Sequence, residues 1–134
     1  MRSPAAELGD RAERTLTFPA ETAALADLGA FVRDTCSAHP QVILLELAVT
    51  EVAVNAIKHG GAAHCRLEVH EHSDGLELRF ADDGAPFDVT AAEAKPMGEL
   101  RESGYGAGIV QKAATRLHYA HRDGWNTLTL TFAY

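Results

Sequence analysis

The stretch QVILLELAVTEVAVNAIKHGG, residues 41–61, decides how the rest of the chain is read. Val42, Ile43, Leu44, Leu45, Leu47, Val49, Val52, Val54 and Ile57 leave little polar surface on a helix spanning Gln41 to His59, which predicts a largely buried element. Gly60-Gly61 closes it as a helix C-cap. Its few polar residues are not scattered. Glu51 and Asn55 stand one turn apart, and at about 100° per residue Lys58 and His59 continue the same face. A carboxylate and an amide in apolar surroundings are costly when unpaired, so this stripe faces either solvent or a polar ligand. Taken alone it fits both.

Working outward, Arg14 to Phe18 alternates with Leu16 and Phe18 on one face, and Pro19 ends what reads as a short strand at a sheet edge. Leu25, Leu28, Val32 and Cys36 recur at helical spacing within Glu21–Ala38, and Pro40 separates that helix from the next. Beyond the glycine pair, Cys65, Leu67 and Val69 alternate with polar residues. Asp74-Gly75 signals a hairpin, and Leu76, Leu78 and Phe80 alternate in turn. The Gly-, Pro- and charge-rich run from Gly84 to Gly104 reads as a lid, with its body at 85–103. A helix is expected over Tyr105–Leu117, with Ile109 and Val110 inward. A last hairpin follows, turned at Asp123-Gly124, in which Leu128, Leu130 and Phe132 alternate with threonines. This order predicts an α+β, two-layer sandwich with helices on one face of a mostly antiparallel sheet.

A chain of 134 residues has room for one domain, and residues 1–12 read as a flexible lead-in. The net charge of −7 argues against direct nucleic-acid binding, which needs a basic surplus. Neither a signal peptide nor a membrane-length apolar run is present, and Cys36 and Cys65 lack any pairing pattern. A cytoplasmic protein with reduced thiols is the expectation. The seven histidines form no known zinc spacing, although His70 and His72 share a strand face.

Two glycine-bearing loops bear on the polar stripe. In Ala81-Asp82-Asp83-Gly84-Ala85-Pro86-Phe87-Asp88, Asp82 sits where a strand gives out, placed to accept a hydrogen bond from an exocyclic amine, while Gly84 leaves room for a ring. The same motif also fits an ordinary Asp-Gly turn. In Gly104-Tyr105-Gly106-Ala107-Gly108, alternate glycines ahead of a helix free backbone N–H groups to converge on an anion, and they equally fit a hinge. No βαβ context surrounds them, which removes a dinucleotide-fold reading.

In this order and spacing, the three motifs resemble the N box and the two glycine boxes of the GHKL (Bergerat-fold) ATPases, over about Arg14 to Phe132. Leu47-Ala48-Val49-Thr50-Glu51 with Val54-Asn55-Ala56-Ile57-Lys58-His59-Gly60 is similar to the N box of the anti-sigma-factor serine-protein kinases within that group. The resemblance implies ATP and Mg²⁺ as cofactors. Asn55 would be the metal-binding residue, and Glu51 the catalytic base or orienter of the attacking hydroxyl. Asp82 would bind the adenine amine, Gly84 would shape that wall, and Gly104, Gly106 and Gly108 would form the phosphate loop. Thr127 would assist at the adenine. Ala85-Pro86 and Asn126 depart from the family's more glycine-rich pattern at those places. The implied function is an anti-sigma factor that also acts as a serine/threonine protein kinase on an anti-sigma-factor antagonist. Its partners would be that antagonist, a sigma factor and a second copy in a homodimer. The alternative is a nucleotide-dependent partner-switching module without phosphotransfer.

Overall fold

The computed structural model describes residues 13–88, 90 and 105–134, with the backbone alone for 105–108. The described chain begins with β1, Glu13–Pro19, followed by a 3-10 turn at Thr22–Ala24 and helix α1, Leu25–Thr35. Helix α2 spans Val42–Lys58, β2 His64–His72 and β3 Gly75–Asp82. Helix α3 covers Tyr105–Ala113, and β4, Arg116–Arg122, pairs with β5, Trp125–Ala133. The five strands are antiparallel throughout, in the order β1-β2-β3-β5-β4. The sandwich expected from the pattern is the architecture found.

Strand register explains how that sheet acquires one apolar face. Phe18 opposes Cys65, Leu67 opposes Phe80, Val69 opposes Leu78, and these continue into Leu128 and Leu130 on β5. All eight are buried, whereas alternate positions such as Arg66, Arg79 and Glu13 are exposed. Against the apolar face lies α2, whose Leu45, Ala48, Val49 and Ala53 have no exposed surface. Helices α1 and α3 pack on α2. Val110 of α3 is fully buried, and Ile109 is half-buried.

Three expectations need correction. The helix expected to reach Leu117 stops at Ala113, because the Thr115 N–H donates to the Thr131 carbonyl at 2.7 Å and commits Arg116 and Leu117 to β4. The helix expected from Glu21 begins as a 3-10 turn and becomes α-helical at Leu25. The first hairpin turns at Ser73-Asp74, with Gly75 already paired in β3. Glycine is required there by space, since a Cβ would lie 2.4 Å from the Phe132 carbonyl oxygen. The second hairpin does turn at Asp123-Gly124, both at positive φ (55° and 82°), as a tight two-residue turn demands. Residues 1–12, expected as a lead-in, and most of 85–103, expected as a lid, lie outside the described residues.

His39, set between α1 and α2, is buried and fully engaged. Its Nδ1 accepts from the Gln41 N–H at 3.0 Å, so Nε2 carries the proton and donates to the Ala133 carbonyl at 3.1 Å. This side chain ties the start of α2 to the end of β5. No helix among the described residues is long and apolar enough to cross a membrane.

Candidate functional site

The apolar sheet face changes character at one end. Following Leu67–Phe80–Leu128 along the strands, the next step on that face brings Asp82 opposite Asn126, and His121 opposite Asn126 from β4. Asp82 and Asn126 are buried, together with His39 the buried polar residues among those described. A cavity opens above them, with about 420 Å³ of space that includes its mouth. Val52 and Ala56 of α2, Phe80, Leu128 and Phe87 provide apolar walls, and Asn55 lies on the same lining. Apolar walls with a few convergent polar groups are the usual make-up of a small-molecule site.

At the floor, Asp82 Oδ1 accepts from the Gly84 N–H at 2.9 Å and from Asn126 Nδ2 at 3.0 Å. Oδ2 has no partner among the described residues. No fully buried polar side-chain atom there lacks one, so Oδ2 is the oxygen reached from the cavity. Its chemistry is that of a directed acceptor for an N–H donor. Asn55 also makes no side-chain hydrogen bond among the described residues, and Glu51, one turn earlier on α2 and half-buried, likewise has an uncommitted carboxylate. Glu51 does not itself line the cavity.

Local backbone geometry brings these residues together. Helix α2 ends with Gly61 at φ +64°, a left-handed residue that lets the Ala62 N–H return to the Ala56 carbonyl at 3.1 Å. The Gly60 carbonyl then accepts from the Ala85 N–H at 2.8 Å, docking the loop after β3 onto the helix end. A Cβ on Gly84 would stand 2.8 Å from that same Gly60 oxygen. Gly84 therefore shapes the site through this close backbone approach, while its neighbours Asp82 and Ala85 form the lining. Asp83 fastens the other side, accepting from the N–H groups of Ala63 (2.7 Å) and His64 (2.9 Å) and pairing with His64 Nδ1 (2.7 Å). The His64 backbone and ring contacts, with the Ala63 N–H, hold its carboxyl down at about 2. Burial beneath the site, with Asp82 and Asp83 nearby, pushes the Cys65 thiol up to about 12, so it stays protonated and inert.

The expected residues do not all converge. Asn55 and Asp82 share the cavity. Thr127 does not reach it: strand alternation turns it to the opposite face, between Ala81 and Ala120 in the register, and Asn126 takes the inward position. Gly106 and Gly108 fall inside α3 rather than in the loop before it, and Gly104 lies outside the described residues, as do Lys95 and Arg101. Tyr119, Phe87 and Asn126 were not foreseen as lining. The alternation of β5, with Leu128, Leu130 and Phe132 inward, carried the signal for Asn126. Of possible metal donors, the cavity offers the amide oxygen of Asn55 and the carboxylate of Asp82. A separate trio, Glu13, Glu68 and His70, lies on the solvent face of β1 and β2, where Glu68 also pairs with Arg66 at 3.2 Å.

Comparison with known proteins places the chain in a family. The family of histidine kinase-like ATPase domains matches residues 18–132. The serine/threonine-protein kinase BtrW of Bordetella bronchiseptica is 32% identical over 108 residues, covering 75% of this chain and 75% of BtrW. The crystal structure of the RsbU and RsbW domains of Rv1364c from Mycobacterium tuberculosis superposes with a TM-score of 0.61 at 16% identity. That match covers 90% of this chain but spans only 32% of the other, and it speaks to the fold. With the family matched from Phe18 to Phe132, this chain belongs to the histidine kinase-like ATPase domain family.

Proposed function

We propose that the chain binds ATP in the cavity beside α2 and transfers its γ-phosphoryl group to a serine or threonine of an anti-sigma-factor antagonist, acting also as an anti-sigma factor. The observation that carries this reading is the open Oδ2 of Asp82 at the floor of an apolar cavity whose wall includes Asn55. An adenine ring fits that chemistry, with apolar faces for Val52, Ala56 and Leu128 and an amine hydrogen for the carboxylate. The name of BtrW, a serine/threonine-protein kinase, supports the direction of transfer.

In this reading the chain's own residues do most of the work by placement. Asp82 orients the base, and Asn55 offers its amide oxygen to Mg²⁺, a hard cation that takes oxygen ligands. When bound, the metal would neutralise charge on the phosphates. Glu51, one turn before Asn55, orients the acceptor hydroxyl and takes its proton. Gly104, and Gly106 in the first turn of α3, contribute backbone N–H groups at the phosphate end, whereas the N–H of Gly108 is taken up by the helix itself. Thr127, on the far face of the sheet, has no part in this scheme. The partner-switching alternative keeps the nucleotide site and dispenses with the proton acceptor.

Incubation with γ-labelled ATP, Mg²⁺ and a candidate antagonist tests the proposal. Transfer of label to a serine or threonine is expected, with a loss of about 100-fold or more in Glu51→Ala. Absence of transfer by the wild-type chain, with ATP binding retained, would remove the kinase claim and leave the partner switch.

A further inference from the structure

Asn126 was marked by its sequence only as a departure from the glycine-rich pattern, yet it is the most heavily bonded side chain at the site. Its Nδ2 donates to Asp82 Oδ1 at 3.0 Å, to the Gly84 carbonyl at 3.1 Å and to the Ala85 carbonyl at 3.0 Å. Its Oδ1 accepts from the Tyr119 hydroxyl and from His121 Nδ1 at 3.1 Å. The Tyr119 oxygen in turn accepts from the Phe87 N–H at 3.2 Å. Two amide hydrogens shared among three acceptors, and an oxygen shared between two donors, exhaust what an asparagine has to offer. Asn126 lines the cavity without a free group with which to read a ligand.

Its bonds instead run to everything that would. One reaches the inner oxygen of Asp82, which leaves Oδ2 turned outward. Two reach the carbonyls of the loop that seats Gly84 and Ala85 against the end of α2, and one passes through Tyr119 to Phe87 on the cavity wall. We propose that Asn126, braced by Tyr119 and His121, is a positioning residue. It fixes the rotamer of Asp82 and the seat of residues 84–87 together, so that base selectivity depends on a side chain with no hydrogen-bonding group left for the base. The inference rests on the reading of the cavity as an ATP site.

A carboxylate oxygen held in one place favours a base presenting an amine there and repels one presenting a carbonyl. Freed to rotate, it discriminates less. The probe pair is therefore ATP and inosine triphosphate, which differ at that edge by amine against carbonyl, with each affinity measured calorimetrically on the full chain. Wild type is expected to prefer ATP, and Asn126→Ala to lower that preference by roughly tenfold. Tyr119→Phe removes the hydroxyl alone. It is expected to lower the preference severalfold and to speed hydrogen exchange at the Phe87 amide. If Asn126 were merely structural, both nucleotides would weaken equally and the ratio would stand; that result overturns the proposal. Should Asn126→Ala fail to fold, Tyr119→Phe decides by the same ratio. A wild-type chain that binds neither nucleotide overturns the ATP reading itself, a different outcome from an unchanged ratio.

Discussion

At the scale of single residues, Gly84 shows how a motif residue acts through backbone contact. Its φ is not in the left-handed region, so a side chain would be excluded by space alone: a Cβ would meet the Gly60 oxygen at 2.8 Å, the Ala62 nitrogen at 3.1 Å and Asp82 Oδ1 at 3.0 Å. Two of these atoms are backbone held by the Ala85 and Ala56 hydrogen bonds, and they have little room to give. Gly84→Ala is expected to destabilise the fold by about 1–3 kcal/mol, the usual cost of overpacking, and to weaken nucleotide binding as the loop lifts from α2. Urea denaturation and ATP titration of the variant check both; unchanged stability would mean that the loop rests less firmly on Gly60 than the 2.8 Å hydrogen bond implies. The requirement for glycine was legible in the sequence, but its reason was not, because Gly60 lies 24 positions away along the chain. The converse holds for Thr127. Its outward direction follows from simple alternation with Leu128, and the resemblance to a family pattern obscured what the period of the strand already contained.

Elements were legible where their periodicity was strong and unreadable where tertiary pairing overruled it. Helix α2 lies within one residue at each end of its expected span, since its apolar content and the Gly60-Gly61 stop leave few alternatives. The boundary of α3 depended on Thr131, a residue in another element, and could not be seen locally. The junction of β2 and β3 is a similar case. Asp83 bridges the end of β3 to the start of β2 through three contacts to Ala63 and His64. Its carboxyl titrates at about 2 when folded against an ordinary 3.8, so the charged form is favoured by folding. A lowered carboxylate pKa contributes stability that is complete above the unfolded value and is lost as the pH falls toward the folded one. The expected signature is a stability gap between wild type and Asp83→Asn that is constant near neutrality and narrows between about pH 4 and 2. Chemical denaturation of both proteins across that range measures it. A gap independent of pH would assign the contribution to shape alone, not to charge.

Across the whole molecule, the site lies where one sheet face runs out of apolar residues. Leu67, Phe80 and Leu128 belong to the core, and one step further along the same face stand Asp82 and Asn126, built on the same strands and likewise buried among their neighbours. Two of the cavity's walls come from α2, the helix most deeply embedded in that core, so a ligand there bridges sheet and helix layers. Such a ligand stabilises the folded state by its affinity for it, about 2.7 kcal/mol at 100 times its Kd. For a chain of 134 residues that corresponds to a rise in Tm of roughly 10 °C. ATP with Mg²⁺ is expected to produce this shift in the wild-type chain, and Asp82→Asn to lose most of it. The exchange keeps the shape of the side chain and its acceptor toward Gly84 while replacing the outward oxygen with an N–H group that faces the amine. The melting temperature of that variant without nucleotide should stay close to wild type, which separates loss of recognition from loss of fold. A full shift retained in Asp82→Asn would place the base somewhere other than above the Asp82–Asn126 floor.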